Sequence, residues 1–85
     1  MRIDDLDKAL VRRTALRMID ASPTGVRTTE VAAHADVAES HSHLREANEQ
    51  TYISLIGKIL GKYDRVIAVE VEDAPATKDT LWKRA

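Results

Sequence analysis

Asn48 to Lys62, followed at once by the alternating run Val66 to Glu72, reads as a one-sided helix feeding a β-ribbon. This succession limits the fold more than any other part of the chain. At about 100° per residue, Tyr52, Ile53, Leu55, Ile56, Ile59, Leu60 and Tyr63 fall on one side of the wheel, within less than half the circle. The other side carries Gln50, Thr51, Ser54, Gly57, Lys58, Gly61 and Lys62. That face offers hydrogen-bonding groups and positive charge, glycines that permit close approach, and no carboxylate to repel a phosphate backbone. An ordinary surface helix with a short-chained, basic wet side has the same pattern.

Composition narrows what surrounds this helix. A chain of 85 residues has room for one domain, 1–85, with one small core. It is 44% hydrophobic and 32% charged, with one Trp, two Tyr and no Phe, so the core depends on aliphatic packing. The absence of Cys excludes disulfides and thiolate metal sites. No run approaches the roughly 18 apolar residues that span a bilayer, and Met1-Arg-Ile-Asp-Asp lacks the apolar core of a secretion signal, so a cytoplasmic protein without a membrane partner is expected. A net charge of −1 argues against indiscriminate coating of nucleic acid; any such binding must come from local placement of charge.

Upstream, Asp4 or Asp5 is expected to cap a first helix running to about Asp20, with Val11, Ala15, Met18 and Ile19 inward and Leu6 and Leu10 extending the apolar surface. Arg12, Arg13 and Arg17 read as solvated or paired with Asp5, Asp7 and Asp20, and as second-rank phosphate contacts. Pro23 and Gly25 stop that helix. Thr28 or Thr29 opens another through Val37, anchored by Val31, with small residues at 32, 33 and 35 that let a neighbouring helix approach. Residues 38–47, with Leu44 as their one large apolar side chain, read as a loop or short turn; a single long helix from Ser40 or Ser42 is the competing reading. The third helix then starts near Asn48 to Gln50, capped by Asn48. Gly61 is expected to serve as its C-terminal cap, whereas mid-helix Gly57, at about 1 kcal/mol relative to Ala, has no evident structural reason.

Beyond it, Ile67, Val69 and Val71 are expected on the buried face of a strand, with Ala68, Glu70 and Glu72 outside. Asp73 to Asp79 makes a hairpin loop, and Thr80 to Arg84 returns as a second strand whose Lys83 or Arg84 can pair with Glu70 and Glu72. Trp82 reads as a lid over the core edge, or alternatively as an exposed anchor for a partner.

The order helix, turn, helix, helix, strand, loop, strand resembles the winged helix-turn-helix domains of prokaryotic, archaeal and viral transcription regulators. The carrying residues are Thr28-Thr29-Glu30-Val31-Ala32 for the supporting helix, Asn48-Glu49-Gln50-Thr51-Tyr52-Ile53-Ser54-Leu55-Ile56-Gly57-Lys58-Ile59-Leu60 for the recognition helix, and Val66 to Arg84 for the wing. Two departures stand out: a long gap between the second and third helices, and Glu70, Glu72 and Asp73 where many members carry basic residues. The resemblance implies an α+β domain of three helices followed by a C-terminal two-stranded β-hairpin wing. It also implies sequence-specific binding of double-stranded DNA by a small transcriptional regulator, as a homodimer or beside a protein partner. Gln50, Thr51 and Ser54 would then lie nearest base edges, Lys58 and Lys62 would meet flanking phosphates, and Thr28 and Arg65 would clamp the backbone, with Lys78 the one basic residue of the wing loop. The alternative is a winged helix used for protein–protein interaction in a replication, transcription or other nucleoprotein assembly. A contiguous positive band through Lys58, Lys62, Arg65 and a first-helix arginine would favour DNA.

His34, His41 and His43, near Asp36 and Glu39, match no established zinc spacing and read as structural or solvated, so no metal or other cofactor is expected. Nor is an enzyme. There is no phosphate-binding glycine loop and no thiol, the serines beside His41 and His43 have no oxyanion arrangement, and so short a chain leaves little volume for a substrate cleft.

Overall fold

Leu6 decides where the first helix begins. In the computed structural model, which describes residues 1–69 and 79–85, Leu6 is buried and its backbone extended, so Ile3–Asp5 closes as a separate 3-10 turn. Arg2 N–H donates to Asp5 Oδ2 across that turn at 2.8 Å. Helix α1 (Lys8–Ala21) is consequently capped by Asp7, whose Oδ1 accepts Leu10 N–H at 3.1 Å, and not by the expected Asp4 or Asp5. Asp4 instead pairs with Lys8 at 2.7 Å, and the hydrogen bond and charge of that lysine hold its carboxyl below the usual carboxylate range.

After α1 the chain reverses at Gly25, whose φ of 109° suits glycine and whose added Cβ would lie 3.0 Å from the Leu81 side chain. Strand β1 (Val26–Arg27) follows, then α2 (Thr28–Ala33). The helix expected from Thr28 to Val37 is in fact two, because His34 adopts an extended backbone and turns its ring to cap the next helix, Nδ1 accepting Asp36 N–H at 3.2 Å. Helix α3 (Ala35–Ser40) ends in turn at His41. The buried His41 ring accepts Asp7 N–H at Nε2 (2.8 Å) and donates from Nδ1 to the Val37 carbonyl (2.9 Å), a pair of bonds that requires the neutral Nδ1–H tautomer.

Residues 38–47, expected as a loop or short turn, are largely helical: α3 is followed by α4 (Ser42–Ala47), with Leu44 packed against the core. Asn48 separates α4 from α5 (Glu49–Gly61), so a single helix from Ser40 or Ser42 does not form either. The Asn48 backbone is extended, and its Oδ1 accepts Thr51 N–H at 3.1 Å, the cap the sequence suggests. Gly61 lies within the last turn with an ordinary negative φ; it is no left-handed cap, and a Cβ there would sit 3.9 Å from Trp82.

Strands β2 (Val66–Val69) and β3 (Leu81–Arg84) complete an antiparallel sheet of order β1-β3-β2, with three strands among the described residues instead of the expected two. The architecture is therefore α+β, with five α-helices among the described residues in place of the expected three. The register sets Trp82 between Val26 and Ala68, which puts Val66 and Ala68 on the face of the indole in place of the expected Ile67 and Val69. Val66 is buried and Ile67 is 51% exposed, while Ala68 is exposed and Val69 half-buried, as expected for those two. Both parities of Val66-Ile67-Ala68-Val69 are apolar, so alternation alone does not choose between them; the buried indole does, by taking small Ala68 as its neighbour. Val71, Glu70, Glu72, Lys78 and most of the anticipated hairpin loop lie outside the described residues.

Helix α5 is the centre of the core. Tyr52, Ile56, Ile59 and Leu60 are fully buried together with Val11, Val31 and Val37, and α5 packs on α1, α2, α4 and β2. Trp82 is part of this core and not an exposed anchor. Among the described residues no helix is long and apolar enough to cross a membrane.

Tyr52 makes the core sensitive to alkali. Its hydroxyl donates to the Val37 carbonyl at 3.3 Å, and burial pushes the phenol up to about 12, opposed weakly by the Arg45 charge. In the unfolded chain it ionises near pH 10. The folded state therefore holds this proton more tightly, so the contribution is complete below about pH 10 and is lost as pH rises towards 12, at most about 1.4 kcal/mol per pH unit. Urea midpoints across this range should fall more steeply for the wild type than for Tyr52→Phe, which forfeits about 1 kcal/mol at neutral pH. Parallel alkaline slopes would show that this phenol is not protected.

Candidate nucleic-acid interface

Gln50, Ser54 and Lys58 recur at every fourth residue and are all exposed, forming one row along the wet side of α5. The row borders a cleft of ≈ 630 Å³ whose far wall is made by Thr28 of α2, Ala68 of β2, and Thr80 and Trp82 at β3, with Ile53 and Gly57 between. Lys58 is the only charged side chain among the described residues of that lining. Gly57 gains a structural reason here: α2 crosses close by, and a Cβ would lie 3.7 Å from Thr28 Cγ2, an ordinary contact distance. The glycine eases this approach without being sterically required.

Thr28 holds the far wall together. Only 4% exposed, it accepts Trp82 Nε1–H at 2.8 Å and donates from its hydroxyl to the Thr80 carbonyl at 3.4 Å; its backbone N–H reaches the same carbonyl at 3.1 Å. Its hydroxyl is thus committed to the fold, while its side chain still borders the cleft. Thr51 is half-buried beside the row, its N–H taken by Asn48. Lys62 and Arg65 are exposed beyond the end of α5 and do not border the cleft: Lys62 is the C-terminal cap residue, and the Arg65 carbonyl accepts Ala85 N–H at 3.0 Å.

Sequence reasoning missed Arg27 and Asp79. The Asp79 carboxylate accepts Thr29 N–H at 3.1 Å and the Thr29 hydroxyl at 2.7 Å, closing the first turn of α2. Arg27 donates to the Asp79 carbonyl at 3.0 Å, so the segment entering β3 is tied to α2 beside the cleft. Partners that lie fifty residues apart leave no local sequence signal.

Arg13 and Arg17 are exposed, as the solvated reading of the α1 arginines expects, but the suggested carboxylate pairs do not form among the described residues. Asp20 holds Arg84 at 2.6 Å and Asp7 caps α1, so neither carboxylate pairs with the α1 arginines. Arg17 lies 3.9 Å from Asp36, and the Arg12 guanidinium sits over the Tyr63 ring at 5.8 Å from its centroid. His34 and His41 act as backbone partners and His43 is exposed; among the described residues no group of three His, Asp or Glu side chains could hold a metal ion. No protein-family model, curated protein or solved structure matches the chain.

Proposed function

We propose that this is a sequence-specific double-stranded DNA-binding domain of the winged helix-turn-helix type, with α5 entering the major groove. The observation that carries the reading is the exposed row Gln50, Ser54 and Lys58, free of carboxylates and backed by the buried face of the same helix. An amide and a hydroxyl in the first turns can read base edges, while an amine further along can meet phosphate. Support also comes from α2 packing against α5 and from the β2 and β3 strands that follow it. Two short helices, α3 and α4, take the place of a tight turn between them. With so few base contacts per chain, the regulator acts as a homodimer on paired half-sites.

Titration into mixed short duplexes at several salt concentrations, with light scattering to record oligomeric state, tests this reading. Salt-sensitive binding by a dimer is the expected result; no binding at low salt would refute it. Replacing Lys58 and Lys62 together by Ala should preserve the fold and weaken binding. It should also flatten the plot of log affinity against log salt by about 1 for each lysine that touches phosphate. An unchanged slope would remove both from the interface.

A further inference from the structure

The outer face of α1 carries a second cleft, of ≈ 440 Å³, that shares no residue with the first. Ala9, Leu16 and Tyr63 supply apolar surface, and Arg12, Arg13 and Arg17 surround it. Each arginine is differently placed. Arg12 is held over the Tyr63 ring, and its enclosed Nε–H has no acceptor among the described residues. Arg13 is exposed, with no carboxylate at ion-pair distance among those residues, and Arg17 is 66% exposed with only Asp36 near it, at 3.9 Å. Asp20, at one end of the cleft, is engaged by Arg84 at 2.6 Å and leaves the arginines largely uncompensated.

We infer that this cleft is a docking surface for an acidic amphipathic segment of a partner protein. Apolar side chains of that segment would cover Ala9, Leu16 and Tyr63, and its carboxylates would meet Arg13 and Arg17. Charge complementarity selects the occupant. The cations lining the cleft are all arginines, whose planar forks match carboxylates bidentately. Arginine beside tyrosine over an apolar floor is the composition of protein interfaces. A nucleic-acid backbone needs cations but no apolar floor. Arg13 and Arg17 lie four residues apart on α1 and form one row along it, which suits a partner helix laid along it.

The test uses the full chain and a short fluorescein-labelled helical peptide with Leu at helical spacing and Glu elsewhere, followed by anisotropy. A matched peptide with Gln in place of Glu and a labelled DNA duplex serve as comparisons. Arg13→Ala with Arg17→Ala, both at exposed positions, should leave thermal unfolding unchanged and weaken the Glu peptide by about tenfold or more. The Gln peptide should bind weakly to either protein, and the duplex should be unaffected. Failure of the wild type to bind the Glu peptide, or binding indifferent to the two substitutions, overturns the inference. A duplex that loses affinity as much as the peptide also overturns it, by making this face a phosphate contact.

Discussion

Ile56→Asp is expected to abolish the folded state, with far-UV circular dichroism showing lost helical signal and no cooperative thermal transition. Ile56 is fully enclosed on the inner face of α5. Removing its side chain forfeits about 2–5 kcal/mol, and the carboxylate that replaces it must either lose its hydration, at several kcal/mol, or take up a proton. A chain of 85 residues has roughly 4–13 kcal/mol of total stability. The loss therefore consumes most or all of it. Ile56→Val, which removes one methyl and adds no charge, should cost about 1 kcal/mol and retain a cooperative transition. Native-like melting of the Asp variant would mean that position 56 does not face the core.

Trp82→Ala should come next in severity, at about 3–5 kcal/mol in urea unfolding. The indole lies between Val26 and Ala68 in the sheet, approaches Gly61 at the end of α5, and donates to Thr28 at the start of α2. Its removal takes a shared contact from three separated parts of the chain. Thr28→Val isolates the polar part of that arrangement, because it keeps the shape and leaves the Trp82 N–H buried without an acceptor, for about 1–3 kcal/mol. Thr28→Ser should behave almost as wild type. As the chain's only tryptophan, Trp82 reports on its own surroundings by fluorescence. A Thr28→Val protein as stable as wild type would show that the hydrogen bond makes no net contribution.

What could be read from sequence was whatever is set locally. The apolar stripe of α5 and its Asn48 cap follow from spacing and from a side chain three residues away from its partner. The stop after α1 follows from Pro23 and Gly25. The misread elements depend on distant partners. His41 ends α3 with its ring in the core, accepting an N–H from Asp7, thirty-four positions earlier. β1 has two residues, too few for any period, and exists because β3 pairs with it. The inner face of β2 was decided by Trp82 on another strand. Within the candidate site, the row on α5 was legible from the wheel, whereas the committed hydroxyl of Thr28 was not, since both its indole partner and its carbonyl partner come from the far end of the chain.

The central place of β3 gives the fold a direction in time. Strands β1 and β2 touch β3 and not each other, so neither has a sheet partner until residues 81–84 arrive. On a ribosome, the helices can begin to associate as they emerge, but the sheet has to wait for those residues to clear the exit tunnel. Until then Val26 and Ala68 have no tryptophan opposite them, and α2 lacks the carboxylate of Asp79. Sheet formation therefore waits on β3, which joins β1 and β2 by pairing with both.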